Sequence, residues 1–140
     1  MTKGKYLGLD FGDVRVGVAI TDLNKEIVFP REAITYERMA NLLAALQALC
    51  ASESVTKIVI GLPIQMDGTV GEQVTKTYAF GQKLSAALPT TAIEYFDERL
   101  TTREAQSRLH AQGIKAKDQK GQKDSLSAQL ILETYLKSRR

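Results

Sequence analysis

Apolar residues alternate with polar or small ones at the start of the chain and later recur at helical spacing, so the pattern predicts strands first and helices afterwards. Leu7, Leu9 and Phe11 share one face of a strand over Tyr6–Phe11, with Tyr6, Gly8 and Asp10 on the other. Beyond the tight Gly12-Asp13 pair, Val14, Val16, Val18 and Ile20 alternate with Arg15, Gly17, Ala19 and Thr21, the return strand of a β-hairpin. A turn at Asp22–Lys25 leads to a third strand over Glu26–Thr35. Pro30 lacks the N–H that a sheet ladder needs, so this strand is expected at an edge or with a bulge.

From Tyr36 to about Glu53 the period lengthens, with Met39, Leu42, Leu43, Leu46, Leu49 and Cys50 on one helical face. Lys57–Leu62 is a β-branched run closed by Pro63 and predicts a buried parallel strand. The next helix is expected to open on a capping box, Thr69 with Glu72, to turn Val70, Val74, Tyr78 and Leu84 to the core, and to stop at Pro89. Ile93–Phe96 is the fifth strand, ended by Asp97-Glu98-Arg99. A second capping box (Thr101 with Glu104) and a hydrophobic staple (Leu100 with Ala105) predict a third helix, with Gly113 as its C′ residue. Residues 114–123, with Lys115, Lys117, Lys120, Lys123 and Gly121, predict a loop, and a last helix spans Asp124 to Lys137. There are no internal repeats. The expected fold is α/β: one domain over 1–140, with a five-stranded mixed sheet flanked by helices. An antiparallel meander of three strands joins two parallel strands, and right-handed crossovers set the rest.

Composition narrows the chemistry. No apolar run approaches the roughly 20 residues of a membrane span, and the start of the chain is too short in apolar residues for a secretory signal, so a cytoplasmic protein without a membrane partner is expected. Cys50 is the single cysteine and His110 the single histidine, which excludes an internal disulfide and a tetrahedral zinc site. Any metal must be held by oxygen. The net charge of +3 is uneven: residues 1–96 carry 9 Lys+Arg against 10 Asp+Glu, and residues 97–140 carry 10 against 6. The basic excess in the last third raises nucleic acid as a partner, although a solvated lysine-rich surface would give the same count.

Three acidic positions stand out. Asp10 lies in an otherwise apolar strand, where an ionised carboxylate is costly unless paired or bound to metal; a turn-flanking role near Gly12 is the alternative. Glu98, beside Asp97, ends the fifth strand, where open α/β sheets place their sites, but it also has Arg99 and Arg103 as surface partners. Asp124 shares a helical stripe with Ala128, Ile131 and Tyr135 and is equally a natural N-cap. Together, three carboxylates at one rim suit Mg²⁺, or Mn²⁺. Two such ions about 3.5–4 Å apart would activate a water and stabilise the leaving oxygen of a phosphodiester. Gly12, Gly17 and the Gly61-Leu62-Pro63 and Asp67-Gly68-Thr69 turns are alternative phosphate-binding backbone, but no dinucleotide or Walker A motif is present.

Gly8-Leu9-Asp10-Phe11-Gly12 with Arg15 and Gly17, then Gly61-Leu62-Pro63 with Asp67-Gly68-Thr69, then Asp97-Glu98-Arg99-Leu100-Thr101-Thr102, then Lys123-Asp124-Ser125 before Ala128 and Ile131-Leu132, closely resemble the YqgF/RuvX family. The similarity runs through nearly the whole chain in order. It implies an RNase H-like fold and a nuclease of precursor 16S rRNA or, in older usage, a Holliday junction resolvase. The family's acidic positions fall on Asp10, Glu98 and Asp124. The expectation is a metal-dependent nuclease with two ions, Asp10 bridging them and Glu98 and Asp124 completing one each, so that a 5′-phosphate and a 3′-hydroxyl result. Arg15 and Arg99 are the candidate phosphate clamps, and Lys115, Lys117, Lys120 and Lys123 the backbone contacts. Its partner would be precursor rRNA or a four-way DNA junction, bound by a monomer or a homodimer. A non-catalytic RNA-binding assembly factor is the alternative of another class.

Overall fold

The computed structural model describes residues 4–101, 103–115 and 125–139. Its strands are β1 (Lys5–Asp10), β2 (Arg15–Thr21), β3 (Val28–Thr35), β4 (Val55–Leu62) and β5 (Ala92–Asp97). They form one sheet in the order β3-β2-β1-β4-β5. β1–β2 and β2–β3 are antiparallel, whereas β1–β4 and β4–β5 are parallel, which is the predicted meander and parallel pair. β3 is the edge strand that Pro30 predicts, and its ladder with β2 shifts register between Val16 and Val18.

Helices cover both faces. α1 (Met39–Glu53) and α2 (Glu72–Ala87) close one side, where Leu7, Leu9, Val16, Val18, Ile58 and Ile60 meet Leu42, Leu46, Phe80 and Leu84. α4 (Leu126–Ser138) closes the other, setting Ala128, Ile131, Leu132 and Tyr135 on Ala19, Val59 and Phe96. Because β2 is covered on both sides, Val16 through Thr21 are all buried, the polar-face positions included. Tyr135 ties α4 down by donating from its hydroxyl to Glu94 Oε2 at 2.5 Å while accepting from Lys57 Nζ at 3.1 Å. Among the described residues no helix is long and apolar enough to cross a membrane.

Several local expectations are corrected. Val14 is exposed because it stands on the hairpin turn, before β2 begins. α2 starts at Glu72 with Gly71 as N-cap and no side-chain cap, since Thr69 is engaged in its own turn: its hydroxyl donates to Asp67 Oδ1 at 2.7 Å. Val74, Thr77, Phe80 and Leu84 face inward, whereas Val70, which precedes the helix, and Tyr78 are exposed. α3 spans Arg103–Lys115, so Gly113 lies within it and does not end it. The Thr101 hydroxyl bonds back to the Glu98 carbonyl at 2.9 Å, and Leu100 is exposed. The remainder of the expected loop, residues 116–123, lies outside the described residues.

Candidate active site

Asp10 ends β1, the middle strand of the sheet, and by alternation shares the α4 side with Tyr6 and Gly8. Two residues earlier, a Cβ at Gly8 would stand 2.9 Å from the Ala128 carbonyl oxygen and 2.9 Å from Leu132 Cβ, so α4 packs directly on the β1 backbone. The desolvation this brings raises the Asp10 carboxyl above its ordinary range.

Glu98 follows β5 in a 3₁₀ turn, Glu98–Leu100. Asp97 builds that turn. Its Oδ1 accepts the Arg99 N–H at 2.9 Å, and its carboxylate takes the Arg99 guanidinium in a fork with Nη2 at 2.7 Å and Nε at 3.0 Å. Asp97 is thereby held below the usual carboxylate range, mainly by Arg99. The Glu98 carboxyl behaves oppositely and is pushed up to about 7, first by burial, then by the charges of Asp10 and Asp97.

A glycine clears the space over the strand between Asp10 and Glu98. β4 lies between β1 and β5, two strand spacings of about 4.8 Å each. Gly61 is the β4 residue beside Phe96, and a Cβ there would run into Ile131 Cδ1 and stand 2.9 Å from Glu98 Oε2. The bare backbone lets the Glu98 carboxyl lean across β4 toward β1. Gly61 lies in the strand that the sequence predicts, and it gives clearance there rather than the phosphate-binding turn that was the alternative.

α4 enters from this same end. Ser125, fully buried just before the helix, accepts the Val18 N–H at 2.9 Å, at the bulge one residue from Gly17, the register partner of Asp10. Ala128, Ile131 and Tyr135 form the buried stripe read from the sequence, while its first member, Asp124, lies outside the described residues. Arg15 opens β2 at the adjoining hairpin, exposed, and Arg99 is engaged by Asp97. Lys115 ends α3; Lys117, Lys120 and Lys123 lie outside the described residues.

Asp10 and Glu98 supply only oxygen donors, and their crowding would be relieved by a cation between them, which fits a hard divalent ion such as Mg²⁺. Among the described residues no group of three His, Cys, Asp or Glu stands ready to hold a metal. Sequence reasoning set Asp97 beside Glu98 and weighed Gly61 as phosphate-binding backbone, but it did not read the turn that Asp97 builds, the clearance that Gly61 gives or the anchoring by Ser125.

The family model described as "RuvX: Holliday junction resolvase" matches residues 4–138. The chain belongs to this YqgF/RuvX family. A protein of Anaeromyxobacter dehalogenans (strain 2CP-C) named "Putative pre-16S rRNA nuclease" is 42% identical over 138 residues, covering 96% of this chain and 98% of the relative. One of the same name from Crocosphaera subtropica is 41% identical over 140 residues, covering 100% and 97%. Two solved structures share the fold: Thermus thermophilus RuvC in complex with Holliday junction substrate, with a TM-score of 0.64 at 9% identity and 96% of each chain covered, and the fowlpox virus Holliday junction resolvase, with a TM-score of 0.55 at 10% identity, covering 97% of this chain and 99% of the other. The RuvX sheet and its flanking helices are therefore of the RNase H-like α/β type.

Proposed function

We propose that this RuvX protein is a divalent-metal-dependent nuclease that hydrolyses phosphodiester bonds in structured nucleic acid, and that its substrate is the 5′ end of precursor 16S rRNA. The observation that carries the proposal is the Glu98 carboxyl lying over the bare backbone of Gly61, on the strand next to the one that the desolvated Asp10 ends, with the Asp10 charge helping to raise it. Paired carboxyls so costly to ionise are a mark of a functional centre, and family membership makes that function a nuclease. Divalent ions held there would supply charge for the developing negative oxygens and lower the cost of deprotonating water.

The chain's own residues divide the work. Asp10, central in the sheet, and Glu98 would hold the divalent ion, and the raised Glu98 carboxyl keeps a proton near neutrality that binding of the ion would displace. Asp97 with Arg99 fixes the turn that aims Glu98. Asp124 completes the set, and what supports it is its neighbour Ser125, pinned beside the Asp10 strand partner. Arg15 and the lysines at 115, 117, 120 and 123 hold the flanking phosphates. A single domain, as monomer or homodimer, performs this.

The family description favours a second reading, resolution of four-way DNA junctions, which needs a dimer with two sites. A panel of precursor rRNA 5′ fragments, unstructured RNA and a four-way DNA junction, each with Mg²⁺, Mn²⁺ or EDTA, separates them. Faster metal-dependent cleavage of the rRNA fragment is expected. Paired symmetric cuts in the junction would favour the second reading. Tight RNA binding without cleavage would leave an assembly factor.

A further inference from the structure

The site end of the sheet is rimmed by exposed apolar side chains. Val14 in the hairpin turn is 59% exposed, Met66 in the loop after β4 83%, Val70 63% and Leu100 in the 3₁₀ turn 60%. They stand on three connections, β1–β2, β4–α2 and β5–α3, which leave the sheet at the end where Asp10 and Glu98 lie. The connections are joined to one another. Gln73 Nε2 on α2 donates to the Phe11 carbonyl at 3.3 Å, and Lys76 reaches Asp13 at 3.5 Å. Gly68 faces Arg99, whose Nη1 would be 3.6 Å from a Cβ there.

Met66 is the most exposed of the four, and its turn is firmly built. Gly68 N–H donates to the Gln65 carbonyl at 2.8 Å and Gln65 N–H to the Thr69 carbonyl at 3.3 Å; Asp67 Oδ1 accepts from both the N–H (2.9 Å) and the hydroxyl of Thr69. Gly68 adopts a φ of +87°, which a side chain would strain. Met66 is exposed, so the turn presents a thioether to solvent at the end of the sheet where Asp10 and Glu98 lie. A flexible, polarizable apolar side chain suits the face of an aromatic ring. Beside a phosphodiester-cleaving centre the aromatic rings on offer are bases, and apolar side chains can insert between base steps and unstack them.

We infer that Met66, with Leu100 and Val14 on the adjoining connections, packs against a base displaced from its stack beside the phosphate to be cut. This makes the rim the feature that selects distorted or branched nucleic acid over regular duplex. The inference rests on the nuclease reading above and deepens it.

Met66 is exposed, so Met66→Ser leaves the fold intact. The test uses a stem-loop RNA carrying 2-aminopurine next to the mapped cut, bound to Asp10→Asn protein so that no cleavage intervenes. Fluorescence rises on binding as the base unstacks; Met66→Ser in that background binds without the rise, and Met66→Phe restores it. In otherwise wild-type protein, Met66→Ser cleaves the stem-loop about tenfold more slowly and an unstructured strand at the wild-type rate. Equal fluorescence and equal cleavage with Ser at this position overturn the inference and leave the nuclease reading standing. If wild type cleaves no nucleic acid, both fall together.

Discussion

Glu98 is the residue at which the account becomes measurable, because its carboxyl is raised to about 7 by burial and by Asp10 and Asp97. Between about 4.5 and 7 the folded chain binds a proton there that the unfolded chain has lost, so the stability this group lends declines as pH rises through that window. Asp10, also raised, acts in the same direction. Glu98→Gln removes the burden. In EDTA at pH 8 it is expected to be about 2 kcal/mol more stable than wild type, a value reduced for solvent screening, and the difference closes near pH 5. Thermal melts across that range check this; a variant less stable than wild type at pH 8 would contradict the crowding of the pair. Mg²⁺ at pH 8 is expected to raise the melting temperature of wild type and to leave that of Glu98→Gln nearly unchanged. Asp10 was legible in the sequence because a carboxylate interrupts an apolar strand. The raised Glu98 was not, because its main cause is burial by the fold, with Asp10 on another strand adding to it.

At the scale of elements, clearance and anchoring decide the site. Gly61→Ala puts a methyl group into Ile131 and Glu98 together, so it is expected to cost about 1–3 kcal/mol and to lose most cleavage activity. Full activity with only lowered stability would separate Gly61 from the site. Ser125→Ala leaves the Val18 N–H buried without its acceptor and is expected to cost about 1–3 kcal/mol in urea unfolding. The strands and their pairing followed from alternation and from Pro30, and the buried stripe of α4 from its spacing. The start of α2 did not: Thr69 with Glu72 satisfies a capping pattern, yet the Thr69 hydroxyl is taken by Asp67, so Val70 falls before the helix, and Tyr78 lies exposed beside the buried Val74 stripe. Gly61 escaped for a related reason. Its neighbours in the chain say strand end and turn, whereas its function comes from Glu98 and Ile131, which are distant in sequence.

For the whole molecule, the sheet brings the ends of β1, β4 and β5 to one edge, and the basic excess of residues 97–140 supplies long-range attraction for a polyanion. Lys115→Ala with Lys117→Ala is expected to weaken RNA binding and to lower the slope of log affinity against log salt by about 1.5, as two lost phosphate contacts require. An unchanged slope would remove both lysines from the interface. The central claim is that the Asp10–Glu98 pair is a metal-dependent nuclease centre, and it is tested most directly by wild type and Asp10→Asn, purified identically, on one labelled precursor 16S rRNA fragment in Mg²⁺ or EDTA. The account predicts cleavage by wild type in Mg²⁺ alone and none by Asp10→Asn. Equal cleavage by both proteins, or cleavage that persists in EDTA, would contradict it.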